Sequence, residues 1–403
     1  MLIFTYFINT KLLLVICSFL FFLQCYASSF DDFAPFQYQL SREYVLRKIV
    51  LYLQGSEEIE EYYAHNEEAF FLFASPQDKE QNHPEYTLFF KPPDKDCTLP
   101  SCMSQTQDVK ELSQVKIAID PGHFGGQYAR LEKRYVYIEH GENKLSFDEG
   151  TLAFLTALHL KKRLEERGVS VLLTRQMIGK GAYREDFFDW LRQHPEYWET
   201  KEILPTIFRS YYNVIDLRER ARMINEYHPD LTIIIHYNAC NSDSVYFPQR
   251  TQITDRNFNL VFIPGAFFKE ELTTVEDRYH FLRFICTQDL ENSYHIAHKL
   301  MENFTLRLKV PPFSLSQNCR SGFSGYSLML EDGIFSRNLC LTRLVQGALC
   351  YGESLIQNNL KEALALSKNE VVVDGIPCPK RVIDVAEAYL EAILSYFNAK
   401  TDK

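Results

Sequence analysis

The 403-residue sequence lacks the features that mark several broad classes of protein. It holds only 16 glycines and 16 prolines, too few for a collagen-like or low-complexity chain. It has no basic excess: 43 Lys and Arg against 53 Asp and Glu give a net charge of −10, which argues against nucleic-acid binding. It also lacks a Cys-x-x-Cys pair, a Gly-x-Ser-x-Gly elbow and a phosphate-binding glycine loop. A thiolate zinc site, a serine hydrolase and a nucleotide enzyme therefore find no support.

The longest apolar run at the N-terminus is too short to span a membrane. After Lys11, residues 12–23 are apolar, about twelve residues where a spanning helix needs ~20. Cys25 and Ala27 place small residues at the −3 and −1 positions for cleavage after Ala27. The pattern predicts a signal peptide over residues 1–27, export to the periplasm or cell envelope, and no stable membrane span after cleavage.

Residues 28–112 carry no named motif, and we predict a separate N-terminal region of unknown role. It ends in a Cys- and Pro-rich linker at residues 91–107. An exported chain can form disulfides, and Cys97 and Cys102 are the local pair that we predict. Cysteine spacing does not define the remaining connectivity.

From residue 115 onward, short apolar runs alternate with amphipathic segments. Strands are predicted at residues 115–120, 169–174, 231–236, 259–263 and 346–352, and helices at 152–167, 216–227 and 382–397. This rhythm predicts an α/β fold with a mostly parallel twisted sheet and helices on both faces. Two segments interrupt it, at residues 176–214 and 265–292, and both are predicted to be helical insertions that add packing or form a lid.

Two histidines follow predicted strands. His123 comes after strand 115–120 and His236 ends strand 231–236. A lone histidine in such a place is usually structural, but the carboxyl ends of strands in an open α/β sheet are where ligands bind, so two together favour a metal. A catalytic zinc takes a third ligand, for which Glu139, Glu142 and Glu149 compete. Glu353 follows strand 346–352 and is a candidate base on the same edge.

The order of these motifs resembles the zinc-dependent N-acetylmuramoyl-L-alanine amidases. The matching pieces are IAIDPGHFGG, Glu149 placed nineteen residues before Gly168, VLLTR, and then DLRERARMINEYHPDLTIIIHYNA at residues 216–239. The family pattern is D-P-G-H, a Glu at the start of a helix, T-R, L-x-x-R and a strand ending H-x-N. The match covers roughly residues 115–240 and resumes near residues 348–358.

The resemblance implies a catalytic domain over residues 113–403 that binds zinc through His123, Glu149 and His236. It selects Glu149 over its competitors and implies that Glu353 is the catalytic glutamate. The expected substrate is peptidoglycan, cut at the amide between N-acetylmuramic acid and L-alanine during wall remodelling or septum cleavage. The stretch after Glu353 reads GESLIQNN and departs from the family's V-E-x-G-F-x-x-N.

Two other functions remain open on the same fold. The altered glutamate motif allows a catalytically silent peptidoglycan-binding protein, and a zinc peptidase would cut stem peptides instead. The resemblance also suggests regulation: segment 265–292 falls where division amidases carry a blocking helix, with Glu270 or Glu271 reaching the zinc until an activator protein binds. His295 and His298 are spaced as zinc ligands on a helix, but we interpret them as part of a packing face.

Overall fold

The computed structural model describes residues 29–92, 111–199, 203–240, 252–314 and 325–401. The predicted signal peptide at 1–27 and the predicted pair of Cys97 and Cys102 lie outside the described residues. Within the described ranges, no helix is both long and apolar enough to cross a membrane. In the same ranges Cys340, Cys350 and Cys378 are free thiols.

The strands and helices follow the alternating order that the sequence predicts. The strands are β1 (Tyr63–His65), β2 (Ala69–Leu72), β3 (Tyr86–Phe89), β4 (Lys116–Pro121), β5 (Tyr135–His140), β6 (Asn143–Asp148), β7 (Ser170–Leu173), β8 (Leu231–Asn238), β9 (Leu260–Ile263), β10 (Leu328–Glu331), β11 (Ile334–Ser336), β12 (Leu349–Ile356), β13 (Asn369–Val373) and β14 (Ile376–Pro379). The helices are α1 (Arg42–Lys48), α2 (Pro76–Glu80), α3 (Glu149–Glu165), α4 (Phe187–Gln193), α5 (Glu196–Glu199), α6 (Leu204–Ile207), α7 (Asn213–Tyr227), α8 (Val275–Cys286), α9 (Asp289–Leu308), α10 (Cys340–Leu344), α11 (Leu360–Leu366) and α12 (Lys380–Thr401).

A seven-stranded sheet forms the centre of the part of the chain that the structure describes. Its order is β10-β11-β9-β12-β8-β4-β7. The β12–β8, β8–β4, β4–β7 and β11–β9 pairs are parallel. The β9–β12 and β10–β11 pairs are antiparallel. The predicted α/β fold with a mostly parallel sheet is confirmed.

Helices cover both faces of this sheet, because its strands are apolar on both sides. Every residue of β8 except the last is buried, as expected for a central parallel strand. One face packs on α3, α9 and α12, which contribute Leu160, Leu300 and Ile393 to a common core. The other face packs on α7 and α10 through Ile224 and Leu341.

Local sequence signals set the element boundaries that matter for the site. Helix α3 begins after Asp148, whose side chain accepts a hydrogen bond from the Thr151 amide at 2.8 Å. It ends before Gly168, which adopts φ +83° and so permits the left-handed turn into β7. The prediction that Glu353 follows its strand is wrong, since β12 continues to Ile356 and Glu353 pairs with His236 of β8 inside the ladder.

The N-terminal region packs on the predicted insertion at residues 265–292. Strands β1 to β3 form a small antiparallel sheet, and its apolar residues share one core with α8. Phe281 lies in this core, with its ring 6.2 Å from that of Tyr63. The ammonium of Lys48 is buried against the same side and lies 3.0 Å from the Glu291 carboxylate. The domain boundary near residue 112 stays a prediction.

Candidate metal centre

His123 lies just beyond β4 in a backbone conformation that few non-glycine residues adopt. Its φ is +59°, in the left-handed region, and this turns the imidazole back over the end of the sheet. The preceding Gly122 lies against the second histidine: a Cβ there would come within 2.2 Å of the His236 ring. Glycine at 122 therefore allows the two histidines to approach each other.

Glu149 is the first residue of α3, and its buried carboxylate reaches both histidines. Its Oε1 lies 3.2 Å from Nε2 of His123 and 3.0 Å from Nδ1 of His236. The Tyr237 amide donates a further hydrogen bond to the same oxygen at 3.3 Å. The competing candidates Glu139 and Glu142 are exposed on the β5–β6 hairpin, and the structure does not bring them to this cluster.

His236 lies in β8 and is buried on every side. Its ring stacks on that of Tyr351, with centroids 4.5 Å apart and planes inclined by 10°. Burial, and to a smaller extent the charge of His123, lowers the pKa of His236 to about 4, although the hydrogen bond to Glu149 opposes this. A neutral imidazole is the form that binds a metal.

These three side chains fit a divalent metal ion. Their ligand atoms all lie within 4.8 Å of one another, and no other such group of three occurs among the described residues. Zinc bonds of ~2.0–2.2 Å to nitrogen and oxygen place tetrahedral ligand atoms about 3.3 Å apart, close to the separations from Glu149. Two imidazoles and one carboxylate are also a donor set that catalytic zinc uses. The structure therefore brings together the three residues predicted as ligands.

A second carboxylate, Glu132, supports His123 from the other side of its ring. Glu132 Oε1 lies 3.2 Å from Nδ1 of His123, and Oε2 accepts a hydrogen bond from the Phe124 amide at 2.8 Å. Burial opposes the charged forms of both side chains. The charges of Glu149 and then Glu132 nevertheless raise the pKa of His123, and the charge of His123 lowers the pKa of Glu132. The sequence analysis missed Glu132, because it lies in an irregular turn and belongs to none of the motifs.

Comparison with known proteins agrees with this geometry. The sequence model of the N-acetylmuramoyl-L-alanine amidases matches residues 117–318, half of the chain, including all three clustered residues. The chain belongs to this family. It is therefore a hydrolase of the N-acetylmuramoyl-L-alanine amidase class with an extracytoplasmic role, and its substrate is peptidoglycan. No curated protein matches the chain in sequence.

The fold is similar to solved amidases, although only distantly. The N-acetylmuramyl-L-alanine amidase Ami1 from Mycobacterium smegmatis is 12% identical, covering 72% of this chain and 100% of its own, with a TM-score of 0.42. Ami1 from Mycobacterium abscessus is 14% identical, with coverages of 70% and 98% and a TM-score of 0.41. The CwlD amidase from Clostridioides difficile, solved with the GerS lipoprotein, is 15% identical, with coverages of 71% and 100% and a TM-score of 0.40.

In this amidase the two family arginines hold the loop that carries His123. The buried Arg175 donates hydrogen bonds to the carbonyls of Pro121 at 2.9 Å, Phe124 at 3.0 Å and Gly122 at 3.2 Å. Burial and the neighbouring Arg220 charge lower the pKa of Arg175 to about 9. These contacts satisfy carbonyls that the tight turn removes from the sheet ladder.

Arg220 connects the same loop to α7. Its guanidinium lies 2.7 Å from the Asp216 carboxylate and 3.4 Å from that of Asp120, and all three side chains are buried. Breaking such a pair leaves an uncompensated buried charge, which is strongly destabilising. The T-R and L-x-x-R motifs of the sequence thus have a structural role behind the loop that carries His123.

Glu353 is placed on the same edge of the sheet as the three clustered residues. It is the register partner of His236 in the parallel β8–β12 pair, so the two side chains lie on the same face. Glu353 is half-buried. Burial raises the pKa of the neighbouring Tyr351 well above its ordinary value, and the charge of Glu353 raises it further. Asn358, in the same segment five residues after Glu353, is buried and accepts a hydrogen bond from the Cys240 amide at 3.0 Å.

The aromatic insertion at residues 176–214 packs directly on the His123 loop. The Phe208 ring lies 5.1 Å from that of Phe124 and 5.2 Å from that of Tyr128. The remaining buried members of this cluster are Phe187, Trp190, Leu191, Ile207 and Tyr212. The insertion therefore adds a layer of packed aromatic side chains beside the His123 loop.

The other predicted candidates lie elsewhere. Glu271 accepts a hydrogen bond from the Phe268 amide at 3.0 Å, within its own turn, and Glu270 is exposed, so neither belongs to the ligand cluster. His295 lies 5.2 Å from the Tyr396 ring, and His298 pairs with Glu302 at 3.4 Å. Both histidines lie on α9 and are not part of the three-residue cluster.

Proposed function

We propose that the chain is a zinc-dependent amidase that hydrolyses the amide between N-acetylmuramic acid and L-alanine. His123, Glu149 and His236 would hold the zinc, and their convergence within 4.8 Å is the observation that carries the proposal. When bound, zinc supplies a Lewis acid for the scissile carbonyl and lowers the pKa of a water molecule to about 7.

Glu353 is the residue we propose as general base. Its place opposite His236 in the β8–β12 register supports this role, because a base must lie within reach of the attacking water. Glu353 takes a proton from that water as the water attacks the carbonyl. It then transfers the proton to the nitrogen of L-alanine, which leaves as an amine. Gly122 and Arg175 keep His123 in place throughout.

We also propose export by a signal peptide over residues 1–27, action in the periplasm or cell envelope, and a catalytic domain over residues 113–403. An activator acting on segment 265–292 belongs to this proposal. Because the apolar face of α8 is buried against the N-terminal region, such a protein would bind the exposed side chains of the segment, among them Glu270.

The test is a digest of purified peptidoglycan with residues 28–403, with and without a zinc chelator. Stem peptides with a free L-alanine amino terminus are expected by mass spectrometry. They should disappear with chelator and in Glu149→Gln and Glu353→Gln. Glu142→Gln, in an exposed glutamate outside the cluster, is the matched control and should retain activity.

Each other outcome selects a different function. Cuts within the stem would indicate the zinc peptidase. Stoichiometric zinc without released product would indicate a silent peptidoglycan-binding protein, an alternative favoured by the missing Gly-Phe after Glu353. Activity that persists after the metal is removed would contradict the proposed centre.

A further inference from the structure

Arg134 contacts the proposed metal centre and Arg209 lies on the neighbouring insertion, and the proposed mechanism uses neither. Arg134 follows Lys133, a residue with φ +58°, and its backbone is held at both ends. The Arg134 amide donates to the Ala129 carbonyl at 2.8 Å, and its carbonyl accepts from the Glu149 amide at 3.1 Å. Arg134 is thereby fixed directly to the ligand Glu149.

The side chain of Arg134 reaches into the ligand cluster. Its Nε donates to Nε2 of His123 at 3.1 Å and lies 3.6 Å from Oε2 of Glu149. A metal ion bonded to these two ligands at about 2 Å would compete for the same lone pairs and repel the guanidinium. The Arg134 side chain is 35% exposed, so it has an open path outward when a metal binds.

Arg209 belongs to the aromatic insertion that packs on the His123 loop. It lies in the turn Phe208–Tyr212, which Phe208 anchors against Phe124 and so against the His123 loop. Arg209 is exposed, and among the described residues no carboxylate lies within ion-pair distance of it. Partial burial and the nearby charge of Arg134 lower its pKa, while Glu132 opposes the shift. The two guanidinium groups thus lie near enough for their charges to interact, and in the described part of the chain no carboxylate pairs with Arg209.

We propose that Arg134 and Arg209 bind a free carboxylate of the stem peptide and so favour acidic over amidated peptidoglycan. Guanidinium groups pair with carboxylates in charge-assisted, often bidentate geometry. In peptidoglycan stems, the residue after L-alanine is an isoglutamyl unit whose α-carboxylate is either free or amidated. L-Alanine and the isoglutamyl unit together span at most about 7 Å. The α-carboxylate therefore lies close to the scissile amide and within reach of arginines next to the metal centre. The inference rests on the proposed function.

The experiment compares two muramoyl tetrapeptides that differ only in whether this α-carboxylate is free or amidated. The measured quantity is the ratio of kcat/KM for the acid to that for the amide, in residues 28–403 loaded with zinc. We expect this ratio to be on the order of ten for the native sequence and near one for Arg209→Met. The decrease in the variant should come from a higher KM for the acid, with kcat unchanged. Arg192→Met, in an exposed arginine of the same insertion that pairs with Asp189, is the control and should keep the native ratio.

A second measurement needs no turnover. Arg134→Met is expected to bind zinc several-fold more tightly in competition with a chromophoric chelator, because it removes a cation from beside His123. Its acid-to-amide ratio should also fall. Equal kcat/KM for both substrates in the native sequence, or the same ratio in Arg209→Met, would overturn the carboxylate site while leaving the amidase assignment intact. Hydrolysis of neither substrate would instead count against the proposed function, and zinc affinity unchanged in Arg134→Met would show that the guanidinium does not compete with the metal.

Discussion

The Glu132 carboxylate lies 3.2 Å from Nδ1 of His123, on the opposite nitrogen from the one that faces Glu149. A carboxylate in this position fixes the tautomer and the orientation of a ligating histidine and makes it a better donor. Glu132 is buried and also accepts the Phe124 amide, so its own position is well defined.

Replacing this carboxylate tests its role. Glu132→Gln retains an oxygen for the Phe124 amide but loses the charge that faces His123, and partners of this kind are typically worth 10–100-fold in metal affinity. We expect zinc affinity to fall by about that range in a chelator competition assay, with the fold retained by circular dichroism. Glu139→Gln, on the exposed part of the hairpin, is the control. Equal zinc affinities of the Glu132 variant and the native sequence would reject the role.

The contact between Gly122 and His236 gives a second prediction. A Cβ at Gly122 would lie 2.2 Å from the imidazole of His236, far inside van der Waals contact. His236 is one of the three proposed zinc ligands. Gly122→Ala is expected to displace His236, weaken zinc binding by at least tenfold and lower the melting temperature. Gly325→Ala is the matched control, because nothing lies within 4 Å of the added carbon there. Zinc binding at native strength in Gly122→Ala would show that the loop adapts without cost to the site.

The sequence predicted the sheet and the three clustered residues because both follow from local patterns. Branched apolar runs such as 231–236 are typical of buried strands, and residues at the carboxyl ends of parallel strands meet at one edge. The order of family motifs then separated Glu149 from Glu139 and Glu142. These inferences needed no knowledge of how distant segments pack.

What the sequence did not predict depends on long-range packing. Glu132 and Arg134 reach His123 only because the irregular turn before β5 folds back on the loop, and no periodic pattern marks that turn. The segment 265–292 was predicted to add packing or to form a lid. In the structure α8 does pack, in a core shared with the N-terminal region, and that partner was not predicted. The sequence of α8 contains many charged residues, which are typical of an exposed helix. Arg283 is nevertheless buried, because it pairs with Asp289 and donates a hydrogen bond to the Arg343 carbonyl.

Burial of α8 leads to a third prediction, about stability. Phe281 is fully buried between Tyr63 and Phe267, whose ring lies 5.4 Å away. Phe281→Ala removes these contacts and leaves a cavity, so the free energy of unfolding should fall by about 3–5 kcal/mol. Urea denaturation measures the loss. The exposed Phe188 provides the control, with a change within about 0.5 kcal/mol for Phe188→Ala. A loss below 1 kcal/mol for Phe281→Ala would mean that α8 detaches easily, as a blocking helix must.

His280 on α8 gives a fourth prediction, for the dependence of stability on pH. It is buried, and its Nδ1 accepts a hydrogen bond from Nε of Arg283 at 3.3 Å, which requires the neutral imidazole. Burial, followed by the charges of Arg283, Arg343 of α10 and Arg218 of α7, lowers the pKa of His280 to about 2. The unfolded chain has the ordinary histidine pKa of about 6.5 and takes up a proton first.

The pKa of His280 is lower in the folded chain than in the unfolded chain. The free energy of unfolding is therefore highest above pH 6.5, where His280 is neutral in both states, and it decreases as the pH falls from there toward 2. Between pH 7.5 and 5.5 the free energy of unfolding should fall by about 1 kcal/mol because of this residue. His280→Gln keeps an acceptor for Arg283 but cannot take up the proton, so its free energy of unfolding should decline less over this interval. Denaturant titrations of both chains at several pH values give the difference. Parallel pH profiles of the native sequence and the variant would show that His280 gains a proton in the folded chain and would contradict its burial among the three arginines.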